Sequence, residues 1–137
     1  MNTMKIEIYS DLICPWCYIG KRRMQAGLKL LGKEFAPKIV WRPFQLNPDM
    51  PIEGMNRKNY RTKKFGSWER SIAMDAEVAA TGKSLGIEFN YNKVLMTPNT
   101  LAGHRLAGAR ARTGGVSPGR DQKGRVNALD YGTLSFP

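Results

Sequence analysis

The sequence predicts an α/β fold, and three observations between Lys5 and Trp41 predict it. Lys5-Ile6-Glu7-Ile8-Tyr9 alternates polar and apolar side chains with β-branched residues, the period-two pattern of a strand. From Cys14 to Leu31 the apolar residues Cys17, Met24, Leu28 and Leu31 recur at helical spacing. Lys38-Ile39-Val40-Trp41 then reads as a second short strand. Strand, helix and strand in such close succession form a βαβ unit, with parallel strands and a right-handed crossover.

Each element has local support. Ser10-Asp11 turns the chain out of the first strand. Pro15 suits the first helical position, where no amide hydrogen is needed, and Gly32 suits the stop. Cys14 is thereby placed at the carboxyl edge of the first strand, where open α/β sheets put their chemistry. Pro43, Pro48, Pro51 and Gly54 make residues 42–55 an irregular connection. Residues 56–65, with Arg57, Lys58, Arg61, Lys63 and Lys64, read as a short exposed basic helix. Ser67 caps a further helix with Glu69 in its first turn. Its expected apolar face is Ile72, Ala76, Ala79 and Ala80, and Gly82 and Gly86 mark its end. Residues 87–91 fit either a short strand or an extended linker. Thr97-Pro98 is expected to cap and open a last helix reaching about Ala109. His104 lies on it, where a packed or surface role is expected. From Gly108 to Pro137 the chain is glycine-rich and basic without helical periodicity, and reads as an irregular tail.

Composition bounds the class. A chain of 137 residues suits one domain with a small insertion. Mean hydropathy is −0.43, and no stretch of eighteen apolar residues suggests a membrane span or membrane partner. No secretory leader is evident at the start, so a cytoplasmic location is expected. The net charge of +11 is spread from Lys5 to Arg125 without a nucleic-acid motif. Nucleic acid is therefore not the expected partner, and a non-enzymatic basic binding module is an alternative.

Both cysteines of the chain lie in Cys14-Pro15-Trp16-Cys17. Positions i and i+3 on a helix have Cβ atoms roughly 5–6 Å apart, and a disulfide needs roughly 3.5–4.5 Å. The first turn of a helix can close or open such a bridge with small adjustments. A loop of four residues removes little chain entropy, so reversible electron transfer is a better use than stapling. Helix-terminal N–H groups and the dipole favour a thiolate at Cys14, with Lys21, Arg22 and Arg23 adding positive potential. Cys14 is expected to attack and Cys17 to resolve. Pro15 and Trp16, between the sulfurs, are expected to tune thiolate stability. With two cysteines and one histidine, a four-ligand Cys/His zinc site within one chain is excluded, and no metal is expected.

Residues 5–11 together with Cys14-Pro15-Trp16-Cys17-Tyr18-Ile19-Gly20-Lys21-Arg22-Arg23 resemble the start of the FrnE-like branch of the DsbA family. Trp41-Arg42-Pro43-Phe44-Gln45-Leu46-Asn47-Pro48 resembles that branch's second strand and connector, and Pro98-Asn99-Thr100 with His104-Arg105-Leu106 its later helix. The resemblance covers about residues 4–106. It implies a thioredoxin-like βαβ unit with connector over 1–55, part of a helical insertion over 56–107, and a tail over 108–137. It implies thiol–disulfide oxidoreductase chemistry on a protein or small-molecule disulfide, with glutathione as a candidate cosubstrate and no resident cofactor. Asn99, Thr100 and His104 become candidates for a groove that binds substrate. A sister branch, the 2-hydroxychromene-2-carboxylate isomerases and kappa-class glutathione transferases, typically has serine where Cys14 stands; a glutathione-dependent isomerase or transferase is the alternative enzyme. Family members continue with a proline loop, further strands and a final helix. Here Val116-Ser117-Pro118 is the sole candidate for that loop, so the second half of the fold is expected to be missing and activity impaired. A two-stranded sheet would expose an edge to which a second copy could pair.

Overall fold

The computed structural model describes residues 4–112. It opens with β1 (Lys5–Ser10), α1 (Pro15–Leu31) and β2 (Lys38–Pro43). β1 and β2 pair in parallel, from Lys5 opposite Lys38 to Ser10 opposite Pro43, as the βαβ expectation requires. Gly32 ends α1 at φ 86°. After the connector come β3 (Met55–Asn56), α2 (Arg57–Phe65) and α3 (Trp68–Ser84). A 3-10 turn (Tyr91–Lys93), β4 (Met96–Thr97) and α4 (Leu101–Arg112) complete the order. β3 and β4 pair antiparallel and tie the two ends of the helical part together.

The core forms where α1 meets α3. Tyr18 and Ile19 of α1 pack with Val78 of α3 and Ile87 of the following connector, and Leu85, Phe89 and Tyr91 close around them. The βαβ unit and the helical segment therefore share one core. Only the first turns of α1 meet this partner. Met24 and Leu28 are half-buried, and Leu31, expected on the buried face, is 56% exposed.

The expected face of α3 is corrected. Ser71, Asp75, Val78 and Gly82 are its buried residues, while Ile72 is 49% exposed and Ala76 and Ala80 are exposed. The reason is an ion pair. Arg57 Nη2 donates to both oxygens of Asp75 at 2.9 and 2.8 Å, and Arg61 Nη2 donates to Asp75 Oδ1 at 3.0 Å. Arg61 Nε also donates to the Ser71 hydroxyl. Arg57 and Asp75 are both buried, so α2 is not the wholly exposed helix expected from its composition. A paired guanidinium and carboxylate can be buried together where either alone could not. They turn a polar stripe of α3 inward and leave Ile72, Ala76 and Ala80 in solvent, with Ala79 half-buried.

Gly82 does not end α3. A Cβ there would lie 2.5 Å from the Phe89 ring, so glycine lets the connector fold back onto the helix. Residues 87–90 are an extended linker rather than a strand. Thr97 belongs to β4, and α4 starts only at Leu101. Thr97-Pro98 is thus not its cap: the Asn99 side chain accepts from the Leu101 N–H at 2.9 Å. α4 continues through 108–112, which were expected to begin the irregular tail. The remainder of that tail, with Val116-Ser117-Pro118, lies outside the described residues.

On β1, Ile6, Ile8 and Ser10 alternate with the exposed Lys5, Glu7 and Tyr9. Parallel sheets are ordinarily covered on both faces, yet Tyr9 is 64% exposed. Among the described residues no helix is long and apolar enough to cross a membrane.

The pairing of Asp75 gives a direct test of this core. Asp75→Asn, which leaves two guanidinium groups without their carboxylate, is expected to lower unfolding free energy by about 3–5 kcal/mol. Ile72→Ala, on the solvent side of the same helix, is expected to change it by less than about 0.5 kcal/mol. Urea unfolding followed by circular dichroism measures both.

Candidate active site

The turn that leaves β1 is built on a carboxylate. Asp11 is 1% exposed, and its backbone oxygen accepts from Cys14 N–H at 3.2 Å. Its Oδ2 accepts from the Leu46 N–H at 2.7 Å, and Oδ1 lies 3.0 Å from His104 Nε2. The same histidine nitrogen is 3.1 Å from the Phe44 carbonyl. A carbonyl can only accept, so Nε2 carries a hydrogen and donates to both oxygens. One buried carboxylate thus fastens the β1–α1 turn to the connector and to α4. Gly103 allows the close seat of α4: a Cβ there would stand 2.4 Å from Leu12 Cδ1.

That fixed turn presents Cys14 as the N-cap of α1. Its φ and ψ are −89° and 105°, its side chain accepts from Cys17 N–H at 3.3 Å, and Pro15 occupies the first helical position. Both cysteines are free and half-buried. They share a proton. The hydrogen bond from the Cys14 thiol brings Cys17 down to about 6, against the opposing effect of burial. The same bond, followed by burial, pushes Cys14 well up. The pair therefore holds one thiolate, stabilised by a sulfur–sulfur hydrogen bond. Helix-end donors favour that charge at Cys14, whose Sγ accepts from the Cys17 N–H. With the shared proton on Cys17 the charge sits on Cys14, at which the Cys17 N–H is aimed.

Cys14, Pro15 and Trp16 line a cavity of 290 Å³, at the small end of ligand-sized pockets, which run from roughly 300 to 1,000 Å³. Leu12 and Leu46 lie beside them, and α2, α3 and the following connector supply the rest of the wall. Cys17 is not a lining residue. Trp16 is 45% exposed at the rim.

The remaining candidates lie elsewhere. Asn99, Thr100 and His104 are not among the cavity's lining residues. Asn99 donates from Nδ2 to the Met50 carbonyl and caps α4, and the Thr100 carbonyl accepts from the His104 N–H. Asn99 and His104 therefore hold α4 against other segments, and Thr100 opens its first turn. Tyr60, Arg61 and Lys64 of α2 and Tyr91 do line the cavity. From the sequence, residues 57–64 read only as a charged surface. The signal lay in the spacing: Arg57 and Arg61 repeat at i, i+4, as do Ser71 and Asp75, which is how two helices offer complementary polar stripes.

Residues 5–123 match the DSBA-like thioredoxin domain. The chain is 34% identical over 98 residues to the uncharacterized protein YwbO of Bacillus subtilis (strain 168), covering 72% of this chain and 43% of that protein. The fold is similar to a crystal structure titled as a "probable DsbA oxidoreductase" from Streptomyces coelicolor. The TM-score is 0.72 at 28% identity, over 81% of this chain and 48% of the other. The chain thus spans somewhat under half the length of these relatives.

The shared proton sets an expected titration. In the reduced protein, thiolate absorbance should rise by one thiolate with a midpoint near pH 6, and the second thiol should stay protonated beyond the ordinary cysteine value of about 8.5. In Cys17→Ala the low step should vanish, and Cys14 should titrate with a single, higher midpoint.

Proposed function

We propose, from the fact that the chain belongs to the DSBA-like thioredoxin domain family, that it exchanges thiols and disulfides through Cys14 and Cys17. The observation that carries the reading is the unequal placement of the two sulfurs. Cys14 lines the cavity at a helix N-terminus, and Cys17, one turn on, does not.

The chemistry follows from that order. Cys14 passes its proton to Cys17 and, as thiolate, attacks one sulfur of a bound disulfide. A Cys14–substrate bond forms, the substrate S–S bond breaks, and one thiolate leaves. Cys17, deprotonated, then attacks Cys14 Sγ, closes the four-residue bridge and releases the second substrate thiol. Two enzyme thiols become one disulfide, and the substrate takes up two electrons and two protons. The i, i+3 spacing lets the bridge form with small adjustments of the first helical turn. A thiol reductant, glutathione among the candidates, returns the pair to its dithiol state. With both cysteines engaged in this pair, a reducing cytosol is the compartment that suits it.

A glutathione-dependent isomerase or transferase needs no sulfur at residue 14, so that reading requires turnover to survive Cys14→Ser. Binding of a polyanion by α2 is a weaker reading, because Arg57 is buried against Asp75 and Arg61 lines the cavity.

Two substitutions separate the roles of the thiols. Cys17→Ser is expected to accumulate a mixed disulfide between Cys14 and a peptide disulfide, visible by non-reducing mass spectrometry. Cys14→Ser is expected to lose at least 100-fold in disulfide reduction, roughly the scale of removing an essential catalytic group. Equal trapping on both single variants would contradict the order of attack.

A further inference from the structure

The cavity that Cys14 lines carries more positive charge than its own carboxylates answer. Arg57, Arg61 and Lys64 line it, against Asp75 and Glu77. Asp75 is already shared: Arg57 takes both its oxygens and Arg61 one of them. Among the described residues, the hydrogen-bond partners of Lys64 Nζ are neutral oxygens, Tyr60 Oη at 3.0 Å and Asn47 Oδ1 at 3.5 Å. It lies over the rings of Tyr60 and Phe65. Arg61, its guanidinium 4.8 Å from the Phe65 ring, is held below its ordinary affinity for a proton. Burial is the main cause; the attraction of Asp75 opposes it and repulsion by Arg57 adds to it. The Tyr91 hydroxyl, on the same wall, is buried without a partner among the described residues, and burial keeps its proton on.

Two guanidinium groups on one carboxylate, an ammonium with neutral partners and an unanswered O–H donor all lack the same thing, negative charge with acceptor oxygens. A carboxylate brought to this wall by a bound molecule would supply it, and the wall is partly desolvated, so the attraction is less screened than at an open surface. We infer that the α2 side of the cavity, centred on Arg61 and Lys64, is a subsite for a carboxylate carried by the disulfide substrate, next to the sulfur that Cys14 attacks. The preferred substrate is therefore an anionic disulfide. This rests on the thiol–disulfide reading and specifies its substrate class. The exchange itself is unchanged: two enzyme thiols are oxidised to one disulfide, the substrate disulfide is reduced, and two anionic thiols leave with the electrons and protons.

The test uses the full reduced chain and three small disulfides that differ in charge: dithiodipropionate (dianion), bis(2-hydroxyethyl) disulfide (neutral) and cystamine (dication). Second-order rates of enzyme oxidation, each divided by the rate with free 2-mercaptoethanol, should fall in the order dianion, neutral, dication. Lys64→Gln should reduce the preference for the dianion by about fivefold, the scale of one partly exposed ion pair. Lys29→Gln, which removes a charge at the far end of α1, should leave it unchanged. Arg61→Gln should act like Lys64→Gln; because Arg61 also braces Ser71 and Asp75, Lys64→Gln is the deciding variant. A second arm compares peptide disulfides with glutamate or lysine flanking the cysteine. A glutamate preference there identifies acidic polypeptide as a source of the carboxylate, and preference confined to dithiodipropionate identifies a small-molecule source. Equal normalised rates for the three disulfides overturn the subsite. So does an equal effect of Lys29→Gln and Lys64→Gln, which would assign the preference to the overall charge of the protein. Failure of all three disulfides to oxidise the enzyme would instead overturn the thiol–disulfide reading, and the subsite with it.

Discussion

The position of the reactive sulfur depends on one buried carboxylate. Asp11 accepts from Leu46 through one oxygen and from His104 through the other, while its backbone oxygen holds the Cys14 amide. Three segments remote in sequence meet there: the end of β1, the connector after β2 and α4. A buried carboxylate is tolerable only when its lone pairs are answered by donors, and here each oxygen has one. The turn is consequently held from three sides, and Cys14 enters the helix at a set angle to the cavity. Packing alone would not fix that angle, since Leu12 is the one buried apolar residue of the turn.

A second polar cluster does for the helical segment what Asp11 does for the turn. Arg57, Arg61 and Asp75 lock α2 to α3, with Ser71 as a further acceptor. The apolar core beside them is small: Tyr18, Ile19, Val78 and Ile87 are its fully buried members. Polar pairing therefore supplies much of the specificity with which these helices are oriented. It also places cationic side chains and aromatic rings along the cavity that Cys14 lines, so the same residues that orient the fold shape the chemistry of its pocket.

Much of this was legible in the sequence because it is local. The alternation in β1, the i, i+3 cysteines, Pro15 and Gly32 each state a backbone preference that tertiary contacts had no reason to override. The buried face of α3 was not legible, because apolar periodicity pointed to Ile72 and Ala76, while the buried stripe contains Ser71 and Asp75, residues that are interior only through partners on α2. His104 shows the same limit. Nothing near residue 104 announces that its partner is Asp11. The hydrogen bond between the two sulfurs escaped for a related reason: helix-end electrostatics is a local rule, and such a bond depends on the side-chain geometry actually adopted.

The span of the Asp11–His104 bond, 93 residues, bears on how the chain is made. At a ribosomal pace of about 5–20 residues per second, the aspartate emerges several seconds or more before the imidazole that completes its coordination. During that interval β1, α1 and β2 have all the residues needed for their own short-range pairing, but the cysteine turn lacks its last fastening. The cysteine turn is thus held without α4 during synthesis, and the clamp closes only once His104 has been added.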